Sequence, residues 1–128
     1  MCHCGRSENF AECCGRYLDG DDAAASAETL MRSRYSAFVV KNYKYLHLTQ
    51  DPQTRSPADS SANEEFSKSV EFTGLEVLNA QEAGNKARVE FIAHYRDLKS
   101  GEAKTHHELS QFRKQAGVWY YRQGQMKN

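Results

Sequence analysis

The hydrophobic pattern of this chain changes period once. Over residues 22–40 apolar positions recur at helical spacing. At 100° per residue Ala27, Leu30, Met31 and Phe38 fall on one stripe, with Arg34 in its middle. Asp22 or Ser26 is placed to cap the start, and Glu28 suits the first turn. Asn42 interrupts the pattern, and residues 43–48 read as a short second helix. The polar stretch TQDPQTRSPADSSANEEF holds the only two prolines. After Pro57 its second half predicts a third helix, about 58–69. From Val70 the period drops to two. Residues 70–83 alternate loosely and turn at Gly84-Asn85. KARVEFIAHYR alternates cleanly, with Ala87, Val89, Phe91, Ala93 and Tyr95 on one face and Arg88, Glu90, Ile92, His94 and Arg96 on the other. Ser100-Gly101 and Gly117 mark two further turns, so the pattern predicts four strands in an antiparallel meander. Helices first and strands after predict an α+β layer, with the helices against one face of the sheet.

Composition narrows the class. A length of 128 residues fits one domain with a small appendage and buries a core without covalent staples. Seventeen basic and seventeen acidic residues give zero formal charge, and neither half is strongly polarised. That gives no electrostatic footprint for nucleic acid or an anionic membrane. No apolar run approaches the ~20 residues that span a bilayer. The N-terminus lacks the basic-then-apolar order of a signal peptide. The expectation is a cytoplasmic protein in a reducing compartment, where clustered cysteines favour metal over disulfides.

All four cysteines lie in the first 14 residues, as C-x-C-x8-C-C: Cys2, Cys4, Cys13 and Cys14. Four thiolates close a tetrahedral shell around Zn2+, which makes such a metal structural rather than catalytic. The ligands must converge, so the chain has to fold back between the pairs. Gly5 and Gly15 follow the two pairs and free the backbone there, while Phe10 can cover one side of the ion. Two disulfides or four free thiols are the competing readings, although adjacent Cys13 and Cys14 do not readily bridge each other. His3 lies between two ligands, but four cysteines already fill the tetrahedron. The spacing, the glycine after the second cysteine and the aromatic three residues before the pair resemble the SEC-C zinc motif. The match departs at Arg6-Ser7, where the motif usually has Ser-Gly. In the C-terminal tail of the SecA translocation ATPase that motif serves protein contacts. The resemblance therefore implies one structural Zn2+ and a protein partner reached through the knuckle.

A wider resemblance runs along the chain: LMRSRYSAF at 30–38, Tyr45-Leu46 with Thr49, Pro52, Arg55, Gly74-Leu75-Glu76, His107-Glu108 with Ser110 and Phe112, and Trp119-Tyr120-Tyr121 before Gly124. In order, these resemble the YchJ-type family of bacterial SEC-C proteins. Gln50 stands where a tryptophan is common, and no second SEC-C motif follows in this sequence. The resemblance implies a zinc knuckle at 1–18 and, at 19–128, a domain similar to nuclear transport factor 2 (cystatin-like). That fold is a cone of helices wrapped by a curved antiparallel sheet. It assigns no activity.

Such cones often leave a cavity between helix and sheet. Candidate lining residues are Arg34, Tyr35, Glu108, Ser110 and Phe112, with His106 ahead of them. A charge on the apolar stripe needs a partner. Arg34 either snorkels past the core edge, pairs with a buried Glu108, or anchors a small anionic ligand. His106 and His107 are adjacent on a strand and face opposite ways. His94 and His47 have no partner near them in sequence. No phosphate loop, nucleophile elbow or HExxH motif is present. The reading is a binding or protein-interaction module, with no catalytic residue named. The alternative is a small enzyme using Arg34 and Glu108. An open polar cavity with a perturbed Glu108 would favour the enzyme, and a filled core with a tight Arg34–Glu108 pair the binder.

Overall fold

In the computed structural model, which describes residues 1–127, a 3-10 turn at Phe10–Glu12 and a one-turn helix α1 (Gly15–Leu18) precede the long helix α2 (Ala27–Val40). Ser26 is the cap that starts α2: extended itself, it accepts the Thr29 N–H through its hydroxyl. Lys41 ends the helix in a left-handed conformation, φ 63°. Asn42 then caps α3 (Tyr43–Leu48) by accepting the Tyr45 N–H. Helix α4 (Pro57–Ser69) opens on Ser56 as cap and a proline in its first turn. Two bonds fasten it to the end of α2: Lys41 Nζ donates to the Ser67 carbonyl at 3.0 Å, and Ser67 Oγ to the Phe38 carbonyl at 2.8 Å.

Four strands follow: β1 (Val70–Ala83), β2 (Lys86–Asp97), β3 (Ala103–Gln115) and β4 (Val118–Met126). They pair in sequence order, all antiparallel, as the meander the turns predict. The loose alternation of the first strand has a physical basis. Register shifts at Phe72/Gly74 and Val77/Asn79 each insert an extra residue into β1, and a third at Gln111/Phe112 does so in β4 at Arg122. Bulges bend a strand and increase its twist. The sheet therefore curls around α2, with Ala87, Val89 and Phe112 buried against Leu30 and Met31.

The apolar stripe on α2 is broader than a single face. Ser33, Ser36 and Ala37 are buried along with Ala27, Leu30 and Met31, while Phe38 is half-buried. The helix is covered twice, by the sheet and by the cysteine-bearing N-terminus, where Ser36 Oγ lies 3.7 Å from Cys2 Sγ. Small residues allow that second approach.

The polar connection before α4 is a strap. Gln50 bridges Tyr121 in parallel, Tyr121 donates its N–H to the Thr49 carbonyl at 2.9 Å, and Asp51 donates its own to the Tyr121 carbonyl at 2.8 Å. These bonds cover the outer edge of β4, which would otherwise expose unpaired backbone groups. Asp51 is wholly buried, and Arg113 grips it with Nε at 2.8 Å and Nη2 at 2.7 Å. Arg122 Nη1 adds a third contact at 3.2 Å. The Arg113 bonds chiefly hold the Asp51 carboxyl well below the usual carboxylate range.

Replacing Asp51 with Asn leaves two arginines facing a buried neutral amide, and urea denaturation at pH 7 should show a loss of about 2–4 kcal/mol. A carboxyl with a depressed folded-state pKa stabilises fully above its unfolded value, about 4. That contribution is lost progressively as pH falls from about 4 through the lower folded value, so D51N should flatten the acidic limb of the stability curve.

Candidate metal knuckle and ligand cavity

Residues 1–18 fold back so that the cysteine pairs meet. Cys2, Cys4, Cys13 and Cys14 are all buried, and their sulfurs lie within 4.8 Å of one another. A tetrahedral ion with Zn–S near 2.3 Å would set its sulfurs about 3.8 Å apart. Cys4 and Cys13 Sγ are separated by 3.7 Å. The donor set thus fits a thiophilic ion. Hydrogen bonding, led by Cys14, pulls the Cys4 thiol down. Burial pushes Cys13 up, and the bond to Cys4 pushes Cys14 up. Thiols this close cannot all ionise without a cation among them.

The two glycines work differently. Gly5 has φ +94°, which L side chains rarely adopt. Gly15 has no positive φ, and it is needed for space: a Cβ there would stand 2.8 Å from the Phe10 carbonyl and 3.2 Å from its ring. Phe10 packs against the cysteines, and the exposed His3 ring meets its edge at 5.2 Å. Two cationic side chains seat the knuckle on α2. Arg32 Nη1 donates to the Cys4 carbonyl at 2.8 Å, and Arg6 Nη1 to Thr29 Oγ1 at 3.2 Å.

On the other side of α2, a cavity of about 620 Å³ opens between the helices and the concave sheet face. Arg34, Tyr35, Glu108, Ser110 and Phe112 all line it. Register explains the strand residues: Ser110 pairs with Val89 and Phe112 with Ala87, both buried on the concave face, and Glu108 keeps the same parity.

Arg34 and Glu108 do not form the ion pair that the helix stripe suggested. Arg34 Nη1 donates to the Leu46 carbonyl at 2.9 Å and to Thr49 Oγ1 at 2.6 Å. The guanidinium stacks on Tyr121, 4.5 Å from the ring centroid. Tyr121 intervenes, and its hydroxyl donates to Glu108 Oε2 at 3.0 Å. Ser110 Oγ donates to the same oxygen, and His106 Nε2 bonds Oε1 at 2.7 Å. Among the described residues no carboxylate comes within ion-pair reach of Arg34. Arg34 is only 7% exposed, so it does not snorkel into solvent. Burial lowers its pKa to about 10, and it stays charged at neutral pH. Burial would push Glu108 up, but the His106, Ser110 and Tyr121 hydrogen bonds outweigh it and hold the carboxyl below its ordinary value.

Two features escape one-dimensional reading, and a third follows from strand parity. His94 Nε2 meets Glu76 Oε2 at 2.6 Å and His47 Nδ1 meets Ser60 Oγ at 3.2 Å, so neither histidine lacks a partner. His107 turns to the convex face and bonds Glu90 at 2.7 Å, opposite in direction to His106 as strand geometry requires. Tyr121 and Asp51 carry structural weight that no local motif announces, because the arginines that hold Asp51 are 62 and 71 residues away and the partner of the Tyr121 hydroxyl is 13 away.

A family model described as "YchJ, middle NTF2-like domain" matches residues 26–124. A UPF0225 protein of Geobacter sulfurreducens is 42% identical over 127 residues, covering 97% of this chain and 78% of that protein. A UPF0225 protein of Streptomyces coelicolor is 39% identical over 127 residues, covering 97% and 94%. The solution structure of a SEC-C motif containing protein from Rhodopseudomonas palustris aligns with TM-score 0.91 and 40% identity, over 99% of this chain and 98% of the other. The crystal structure of a SEC-C motif containing protein from Psychrobacter arcticus aligns with TM-score 0.79 and 30% identity, over 99% and 81%. Among the described residues no helix is long and apolar enough to cross a membrane.

The glycine opposite Ser110 tests the cavity's geometry. A Cβ on Gly124 would run into the Glu108 carboxylate and the Tyr121 hydroxyl. Gly124→Ala should cost about 1–3 kcal/mol in urea denaturation, in the range for overpacked sites. Placing the alanine in an E108A background should recover part of that loss, the clash with the Tyr121 hydroxyl remaining.

Proposed function

This chain belongs to the UPF0225, YchJ-type family of SEC-C proteins, and on that premise we propose that it holds one structural Zn2+ in its knuckle and binds a small anionic ligand in its cone. The observation that carries the ligand reading is Arg34. A buried guanidinium without a carboxylate partner is costly unless something else completes its charge. Its hydrogen bonds to the described residues all leave from Nη1, so Nε and Nη2 remain for a guest. Guanidinium matches carboxylate or phosphate in a two-bond fork.

Binding fits these groups better than catalysis does. A general base works best with a pKa near the operating pH. Glu108 is held in the opposite direction by three donors, so it is a weak base and carries no proton to donate at neutral pH. It serves instead as a fixed acceptor. In the knuckle, four sulfurs leave a tetrahedral ion no open position, so Zn2+ there supplies folding energy and no reactive site. The outer face of the knuckle, with Met1 79% exposed beside Cys2, is where a protein partner would meet it. Thiolate ligation of this kind suits the reducing cytoplasm.

Native mass spectrometry of reduced protein taken directly from cells should show one zinc per chain. Chelation should then raise amide exchange in residues 1–18 and in the adjoining face of α2, while β2 and β3 stay protected. Retention of exchange protection in residues 1–18 after the metal is gone would overturn the structural role. A co-purifying mass that disappears in Arg34→Met but persists in Arg55→Met would mark the cavity as the anion site.

A further inference from the structure

Tyr121 spans the two charged groups of the cavity with one ring. Arg34 lies over its face, with the guanidinium 4.5 Å from the centroid, and its hydroxyl reaches Glu108 at 3.0 Å. An anion seat and a fixed acceptor therefore stand about one aromatic ring apart. Glu108 has room for another bond. Among the described residues Oε2 accepts from both Ser110 and Tyr121, while Oε1 bonds only His106, and each carboxylate oxygen has two lone pairs. The apolar part of the wall is largely aromatic, with Phe38, Phe66, Phe72, Phe91 and Phe112 bordering the space, while Asp59 and Arg122 line it elsewhere. Several of these rings meet edge to face, Phe66 and Phe72 at 71° and Phe112 and Tyr121 at 73°. A further ring entering such a cluster gains the same quadrupole pairing, about 0.5–1.5 kcal/mol beyond its buried area.

Resting on the anion reading above, we infer that the cavity takes an aromatic monocarboxylate bearing a hydrogen-bond donor across the ring, with the carboxylate on Arg34 and the donor on Glu108. The charges enforce the orientation. A carboxylate turned toward Glu108 meets like charge, and a donor turned toward Arg34 leaves both charged groups unanswered. An aromatic dicarboxylate is therefore excluded by Glu108 itself. A saturated chain fills the space but forgoes the ring contacts and the Glu108 bond.

Calorimetric titration of the zinc-loaded full chain with four probes tests this: 4-hydroxybenzoate, 4-methoxybenzoate, terephthalate and hexanoate. 4-Hydroxybenzoate should bind at least tenfold more tightly than each of the others, since a hydrogen bond to a charged group is worth about that factor. E108Q should narrow the gap between 4-hydroxybenzoate and terephthalate, and R34M should weaken 4-hydroxybenzoate at least tenfold while R34K retains part of it. Hexanoate binding as tightly as 4-hydroxybenzoate overturns the aromatic class and leaves the anion reading standing. Equal binding of 4-methoxybenzoate or terephthalate overturns the role of Glu108. Failure of all four to bind the folded wild-type protein overturns the ligand class, whereas the anion reading falls only if no co-purifying anion depends on Arg34. The probe ratios come from wild-type protein, so they hold even if a variant does not fold.

Discussion

The burial of one positive charge organises this molecule. Arg34 extends from the long helix, bonds the Leu46 carbonyl near the end of α3, bonds Thr49 at the start of the strap, and stacks on Tyr121 of β4. Carbonyls at a helix C-terminus carry partial negative charge, which a cation complements. One guanidinium thus fixes the short helix, the strap and the last strand relative to α2. The same charge stays within the protein at the cost of desolvation, and burial lowers its pKa only to about 10. It is a permanent cation on the cavity wall.

The cavity's charges are satisfied unequally. Glu108 has three donors around it, and the space for its carboxylate is kept by a glycine on the neighbouring strand. Among the described residues Arg34 is bonded through one nitrogen only. A structural network would join the two directly and close the space between them. Here an aromatic ring separates them, and a cavity of about 620 Å³ stays open beside both. That separation means Arg34 and Glu108 do not form a packing clamp. The clamp of this protein lies elsewhere, at Asp51, where two arginines converge on a wholly buried carboxylate and lock the strap over the edge of β4.

Helix α2 serves two structures at once. Its cavity-facing side carries Met31, Arg34, Tyr35 and Phe38, and the opposite side presents Thr29, Arg32 and Ser36 to the N-terminal segment. The cysteine knuckle lies along Ser36, and the Cys4 carbonyl is held by Arg32 one turn away. An 18-residue segment has too little apolar surface for a core of its own. The borrowed wall of α2 supplies part of what it lacks, and four converging cysteines are placed where a metal ion could be held. The knuckle and the cavity therefore share a helix, with the cysteines on one side and Arg34 and Tyr35 on the other.

Local chemistry was legible in the sequence. The stripe of α2, its Ser26 cap, the clean alternation of β2 and the glycine turns of the meander each depend on residues close together in the chain, and so does the C-x-C-x8-C-C spacing. Resemblance to a family supplied the cone, which periodicity does not distinguish from other α+β layers. The choice of partners was not legible. Arg34 faces Tyr121 rather than Glu108, Asp51 meets Arg113 and Arg122 across the fold, and Gly15 is demanded by Phe10 rather than by its own backbone angle. These contacts depend on bulges that shift strand register and on a strap returning to a distant edge. Periodicity fixes which face a side chain occupies, but only the closed three-dimensional path of the chain fixes what stands opposite it.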